Sequence, residues 1–195
     1  MIEQIQRFLD ALDKALVPHA AKGERLELYA IGRSALILHY GLRLATAGTK
    51  DFDVVKIGDS FTPLARKALE LFGKGTDSAR QLGLYVDMVQ DGLPPLPMGF
   101  RGRCQEVEGG WQVIRVWRLE IHDLAATKLR CFRPQDRDDL QFLCDAQKLR
   151  ADKLKEALDL AFIWSMEKDG DPNRDRAFVH LERVILYLQG RSRTL

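Results

Sequence analysis

Residues 51–55 alternate between carboxylate and apolar side chains, in the order Asp-Phe-Asp-Val-Val. In a β-strand, side chains two residues apart point to the same face of the sheet, so Asp51 and Asp53 share one face. Phe52 and Val54 then pack on the opposite face. The pattern predicts a sheet with one buried apolar face and one polar face, because burying an unpaired carboxylate is costly.

Apolar periodicity along the rest of the chain predicts a mixed first half and a helical second half. Apolar residues at helical spacing predict an amphipathic helix over residues 2–21. Two β-like runs on either side of Gly109-Gly110 predict a hairpin. Other strands are expected at residues 26–31, in DFDVVKI and in LGLYVDMVQ. Other helices are expected after Gly32, over residues 61–72, and near residues 120–133, 135–148, 152–167 and 174–189.

These elements together predict an α+β fold. Residues 1–119 would form a small mixed sheet with helices on one face, together with the N-terminal helix. Residues 120–195 would form a C-terminal helical bundle. The length of 195 residues and the 46% content of apolar residues suit a core of this size.

Composition argues against several classes of function. A net charge of +2 gives no overall basic field of the kind that nucleic-acid-binding proteins use. The three cysteines form no Cys-x-x-Cys pair, which gives little support to a zinc or redox site. Free thiols are typical of the reducing cytoplasm, where we expect the protein. No apolar run reaches the roughly 18 residues that span a membrane, and the N-terminus does not resemble a signal peptide, so we expect no membrane partner.

The carboxylates in this sequence suggest a metal site. Asp51 and Asp53 repel each other unless a positive charge lies between them. Mg²⁺ prefers oxygen ligands and is often held by one or two carboxylates together with substrate phosphates. Asp87 lies in another apolar strand and, placed beside the first, would complete a three-carboxylate site able to hold two metal ions for phosphoryl transfer. The alternative is that the Asp pair only serves turn chemistry at the start of a strand.

The turn Gly32-Arg33-Ser34 connects the strand at residues 26–31 to the helix that follows. Ser34 is expected to cap that helix. Backbone N–H groups at a helix N-terminus bind phosphate well, so this turn is a candidate phosphate site. Many strand-to-helix turns share such a sequence, so the turn alone is a weak signal.

The turn, the segment from Thr49 to Asp53, and Asp87 form an ordered set that resembles the nucleotidyltransferase fold of the DNA polymerase beta superfamily. In that family a strand ends in Gly-Gly or Gly-Ser, the next strand carries Asp-x-Asp, and a later strand supplies a third acidic residue. Residues 121–129 and 137–140 are similar to helical motifs of the bacterial minimal nucleotidyltransferases, which include relatives of abortive-infection and toxin–antitoxin proteins. The resemblance covers about residues 26–145 and departs from the family pattern at Arg33, which occupies the second glycine position.

The resemblance implies an enzyme that moves a nucleoside monophosphate from an NTP to a hydroxyl of an RNA end, a protein or a small molecule. The catalytic residues would be Asp51, Asp53 and Asp87, which would also hold Mg²⁺ or Mn²⁺. The nucleotide-binding residues would be Gly32, Arg33, Ser34, Arg43, Thr49 and Lys128. Basic clusters at residues 101–103, 115–118, 128–130 and 191–193 would favour an RNA acceptor if they converged.

The sequence alone leaves several alternatives open. The chain could be a catalytically inactive relative that binds or regulates a protein partner, as in a toxin–antitoxin pair, and Arg33 favours that. Convergence of the three carboxylates to metal-bridging distance would favour an enzyme. Lys128 could lie on a solvated helix face, and Arg43 and Thr49 could be structural. Trp111 and Trp117 could pack at the sheet or stack a base.

Overall fold

The structure, a computed structural model, describes residues 2–42, 49–55, 62–89, 94–147, 149–163 and 170–195. The described residues contain five strands and eight α-helices, which confirms the predicted α+β class. The chain divides into two compact units, Met1–Asp91 with Gln105–Arg118 and Gly92–Cys104 with Leu119–Leu195. The second unit therefore includes residues 92–104, which the sequence analysis placed with the sheet.

The first unit contains the sheet and the helices around it. Its elements are α1 (Ile2–Leu16), β1 (Leu26–Ala30), α2 (Gly32–Tyr40), β2 (Asp51–Val55), α3 (Pro63–Phe72), α4 (Asp77–Leu82), β3 (Tyr85–Val89), β4 (Gln105–Val107) and β5 (Ile114–Arg118). α1 ends earlier than predicted, and Val17–His19 form a 3-10 turn instead. The cause is Pro18, which has no N–H to continue the helical hydrogen bonds.

α4 was not predicted, because its six residues are too few to show helical periodicity. Its ends nevertheless carry ordinary local signals. The hydroxyl of Thr76 accepts a hydrogen bond from the Ala79 N–H at 3.2 Å, and Gly83 ends the helix in the left-handed conformation. These signals are those of a capped helix with a glycine stop.

The sheet is mixed and has the strand order β3-β2-β1-β5-β4. β1 is antiparallel to β2 and parallel to β5, while β2 is parallel to β3. β4 and β5 form the predicted antiparallel hairpin. This order places β2, which carries the alternating carboxylates, between β3 and β1.

The apolar face of the sheet is covered by α1 and α3. The ring of Phe8 from α1 lies 6.1 Å from that of Phe52 in β2 and 5.7 Å from that of Phe72 in α3. Phe8 and Phe52 are fully buried. Each such side chain contributes about 1.5–3 kcal/mol of stability on burial. The alternation in β2 thus sets which face of the sheet becomes the core.

Asp13 fixes the end of α1 to the start of β5. Its carboxylate is 7% exposed and accepts hydrogen bonds from the backbone N–H groups of Gln112 at 3.0 Å, Val113 at 2.7 Å and Ile114 at 2.9 Å. The carbonyl of Val113 in turn accepts from the Leu26 N–H at 2.8 Å. The buried side chain of Asp13 therefore sets where β5 and its neighbour β1 begin.

The second unit is helical and consists mainly of α5 (Ile121–Leu129), α6 (Pro134–Gln147), α7 (Ala151–Phe162) and α8 (Pro172–Leu188). α5 contacts α6, α7 and α8. The Met98 N–H donates to the Leu160 carbonyl at 3.1 Å, which ties the incoming segment to α7. α5 is shorter than predicted because Phe132 has a positive φ of 49° and Pro134 begins α6. Among the described helices, none is long and apolar enough to cross a membrane.

We predict that Asp13→Ala lowers the free energy of unfolding by about 3 kcal/mol or more, because each buried N–H left without an acceptor costs about 1–3 kcal/mol. Asp10→Ala is the matched control, since Asp10 lies on the same helix and accepts an exposed hydrogen bond from Trp111 Nε1. Urea unfolding curves measure both. Equal effects of the two substitutions would contradict the role given to Asp13.

Candidate active site on the polar face of the sheet

The register of β2 and β3 places three carboxylates on one face of the sheet. The two strands are parallel, and Asp53 is the direct partner of Asp87. Asp51 shares the face of Asp53 because it lies two residues earlier in the strand. Asp51 and Asp53 are half-buried, whereas Asp87 is exposed. This is the polar face that the alternation in β2 predicts.

This grouping costs stability, because like charges directly opposite each other on neighbouring strands repel. Tyr85, the partner of Asp51, shows the resulting negative potential. The pKa of Tyr85 is raised above its ordinary value, first by burial and then by the charges of Asp51, Asp87 and Asp53. The three carboxylates therefore act on one region, where a cation would be stabilised.

Asp53 also lies against the start of α2. A Cβ atom at Gly32 would fall 2.2 Å from Asp53 Oδ2 and 3.1 Å from its Cγ, and Gly32 has a left-handed φ of +67°. The Ile31 N–H donates to the Asp53 carbonyl at 2.9 Å, which holds the two segments together. Both the backbone conformation and the close approach therefore require glycine here. A carboxylate at a helix N-terminus is favoured by the helix dipole.

The predicted cap of α2 was wrong. The N-cap residue is Ile31, which offers no side-chain acceptor to the first turn. Ser34 lies inside the helix and is fully buried, and its hydroxyl donates to the Ile31 carbonyl at 3.4 Å. Arg33, at the second helical position, is half-buried. The first turn of α2 therefore receives no side-chain bond from its N-cap residue.

The other predicted nucleotide-binding residues lie in different surroundings. The hydroxyl of Thr49 donates to Asp51 Oδ1 at 2.6 Å, so Thr49 orients one of the three carboxylates. Arg43 lies outside the described residues. Lys128 belongs to the second unit, where its amine lies 2.7 Å from Asp139 Oδ2, and the two residues are 5% and 0% exposed. The alternative of a solvated helix face for Lys128 is wrong, and its part in triphosphate binding stays a prediction.

The three carboxylates fit a metal ion in their chemistry but not in their present spacing. Among the described residues, no group of three His, Cys, Asp or Glu side chains is close enough together to hold an ion as they stand. Asp51 instead bonds to Thr49, and Asp53 fills the space that a Cβ at Gly32 would occupy. The donor set nevertheless suits Mg²⁺, because it consists of oxygen ligands on one face. Repulsion between the charges opposes their convergence in the absence of a cation.

A cavity of about 360 Å³ lies within the second unit. Its lining includes His122, whose Nδ1 lies 2.7 Å from Glu120 Oε1 and whose Nε2 accepts from the Arg150 N–H at 3.1 Å. Arg103 pairs with Asp123 in the same lining through bonds of 2.9 and 3.0 Å. His122 therefore links the starts of α5 and α7.

Sequence reasoning missed Tyr85 and understated the role of Gly32. Tyr85 and Asp87 are two residues apart in one strand, so their common face follows from the same periodicity that grouped Asp51 with Asp53. The approach of Asp53 to Gly32 depends on the pairing of β1 with β2, which no local pattern in the sequence reveals.

Comparison with known proteins identifies a family. The model of a protein family described as "Nucleotidyltransferase of unknown function (DUF6036)" matches residues 7–182, which is all of the chain except its ends. No curated protein and no solved structure matches significantly.

We predict that Gly32→Ala lowers the free energy of unfolding by about 2–5 kcal/mol, through left-handed strain and overlap with Asp53. Gly41→Ala is the matched control. Gly41 has a φ of +74°, and no atom of the described residues lies within 4 Å of the point where its Cβ would stand, so the change should cost only the left-handed strain of about 1–2 kcal/mol. In an Asp53→Ala background, Gly32→Ala should cost less. Urea unfolding measures all these variants, and equal costs at both glycines would contradict the contact.

We also predict that Asp51→Asn lowers the pKa of Tyr85, because Asp51 makes the largest carboxylate contribution to its shift. NMR titration of tyrosines labelled at ¹³Cζ measures this, with Tyr85→Phe to assign the signal. Asp77→Asn, a change at an exposed carboxylate in α4, is the control. An unchanged titration of Tyr85 in Asp51→Asn would contradict the position of Asp51 beside Tyr85.

Proposed function

Since the chain belongs to this family of nucleotidyltransferases of unknown function, we propose that it transfers a nucleoside monophosphate from an NTP to a hydroxyl group and releases pyrophosphate. The observation that carries the proposal is the position of Asp53. It lies beside Asp87 on one side and against the N-terminus of α2 on the other. This brings a group of carboxylates together with a helix N-terminus, and the two suit a metal ion and phosphate respectively.

Asp51, Asp53 and Asp87 are the residues that would hold Mg²⁺ or Mn²⁺. The ion would neutralise the charge of the phosphate oxygens during transfer. Thr49 keeps the Asp51 carboxylate oriented through its hydroxyl. Asp87, which is exposed, would accept the proton of an incoming hydroxyl, whose oxygen would attack the α-phosphorus.

The start of α2 is the proposed site for the phosphates that leave as pyrophosphate. Gly32 lets other atoms approach the backbone closely, as the Asp53 carboxylate does. The backbone N–H groups of Arg33 and Ser34 lie in the first helical turn, where the helix dipole favours an anion. The Arg33 side chain, which replaces a glycine of the family pattern, adds a positive charge close to this turn.

The acceptor is proposed to be a protein or a small molecule rather than RNA. One basic residue in each of three of the four clusters that would favour RNA is engaged with a carboxylate. Arg103 pairs with Asp123 at 2.9 Å, and Arg115 lies 3.4 Å from Glu106. Lys128 is buried against Asp139. Side chains paired in this way contribute little to the binding of a polyanion, which depends on cations available to phosphates.

A second candidate is an inactive relative that binds a nucleotide or a protein partner, such as a toxin–antitoxin component. One observation favours it, because the carboxylates among the described residues are not gathered as a ready metal site. In an inactive protein, however, the repulsion between Asp53 and Asp87 would cost stability without any gain in activity. We therefore place catalysis first.

The test is transfer of label from each α-³²P NTP into a cell extract, with Mg²⁺ or Mn²⁺. The wild-type chain and the control Asp77→Asn should label an acceptor. Asp53→Asn should lose more than about 100-fold in rate, since even the residues that support metal ligands contribute about 10- to 100-fold. Circular dichroism confirms that the variant is folded.

Metal binding has a separate readout in Tyr85. A cation held by the three carboxylates should lower the pKa of Tyr85, because it neutralises the charges that raise it. A shift on adding Mg²⁺ without any transfer would support the inactive binding protein. The absence of both a pKa shift and transfer, with every nucleotide tested, would contradict the proposed site.

A further inference from the structure

Two aromatic side chains lie side by side on the polar face of the sheet. Tyr29 in β1 and Trp117 in β5 are register partners in parallel strands. Their ring centroids are 5.9 Å apart, and the ring planes are 12° from parallel. Both residues are half-buried. We call Tyr29 and Trp117 the aromatic pair.

The strand register places the aromatic pair next to the carboxylates. Tyr29 is the partner of Val55 in β2, and Val55 lies two residues after Asp53 on the same face. At about 3.3 Å per residue, Tyr29 is level with a point about 6.6 Å along the strand from Asp53. The aromatic pair thus lies about 6.6 Å from Asp53 along the strand direction and one or two strands across the sheet, on the side where the sugar and base of a nucleotide bound at Asp53 could extend.

A hydrogen bond orients the indole ring of Trp117. Trp117 Nε1 donates a hydrogen bond to Glu27, which lies two residues before Tyr29 on the same face. Glu27 also lies 3.9 Å from Arg115, so it is held from a second side. A ring that is already oriented loses little conformational entropy when a ligand stacks on the pair.

Packing of the core does not require the aromatic pair. The core contacts of β1 and β5 are made on the opposite face by Leu28, Ile114 and Val116, which are no more than 1% exposed. Large aromatic rings on a polar face point to a function, because burial in the core does not explain their position. They give this face an apolar surface beside its charged groups.

We propose that the aromatic pair binds the nucleobase of a nucleotide whose phosphates lie at Asp53 and Gly32. This subsite rests on the proposed function. Every base presents a π-face, so stacking accepts all four bases. Purines bind more tightly than pyrimidines here because their stacked area is larger. The phosphates and the base of the nucleotide then lie in the same order as the carboxylates and the aromatic pair on the sheet.

The test is calorimetric titration with each NTP and with inorganic tripolyphosphate, all in the presence of Mg²⁺. Trp117→Ala weakens NTP binding by about 5- to 150-fold, the range of one stacked base, and leaves tripolyphosphate binding unchanged. Trp117→Phe retains most of the affinity because it keeps an aromatic face. Trp111→Ala is the matched control on the same hairpin, since its indole bonds to Asp10 instead. Tyr29→Leu repeats the test if Trp117→Ala does not fold.

The outcomes separate this subsite from the proposed function. If NTPs and tripolyphosphate both bind and the aromatic variants weaken neither, the subsite is overturned and the phosphate site stands. Equal weakening of both ligands also overturns it, because the effect is then on the phosphate site or the fold. If the wild-type chain binds neither ligand, the proposed function fails and the subsite fails with it.

Discussion

The close approach of the Asp53 carboxylate to Gly32 links the sheet to the candidate active site. It exists because β1 and β2 are antiparallel neighbours, so the end of β1 reaches the level of Asp53. It also requires a residue without a Cβ atom, in a backbone conformation that glycine adopts at little cost. The same glycine begins α2, so one close approach places a carboxylate and a helix N-terminus together.

The polar face gives up stability at the carboxylates, where the repulsion between Asp53 and Asp87 is built into the register. The buried charges of Asp13 and Lys128, by contrast, are satisfied. Asp13 accepts hydrogen bonds from three backbone N–H groups, and Lys128 is buried against Asp139. Local conflict in an otherwise consistent structure is expected at functional sites. The conflict here falls on the carboxylates to which the proposed function assigns the metal ion.

Much of the secondary structure could be predicted from the sequence, because it depends on short-range periodicity. The alternation in β2, the hairpin around Gly109-Gly110 and the helical second half each follow from local patterns. The pairing of strands does not, so the approach of Asp53 to Gly32 emerged only from the fold. The burial of Lys128 was likewise hidden, because Asp139 reaches it from the next helix.

Trp117 shows how a long-range strand pairing can change the role that is expected of a residue. As part of a hairpin, an indole is equally compatible with edge packing and with stacking. β5 pairs in parallel with β1, which brings Trp117 beside Tyr29 although the two are far apart in the chain. Since β1 also pairs with β2, the aromatic rings and the carboxylates share one face and differ in level along it. A polar end followed by an aromatic surface is also the order of groups in a nucleotide, so the strand order itself carries information about the ligand.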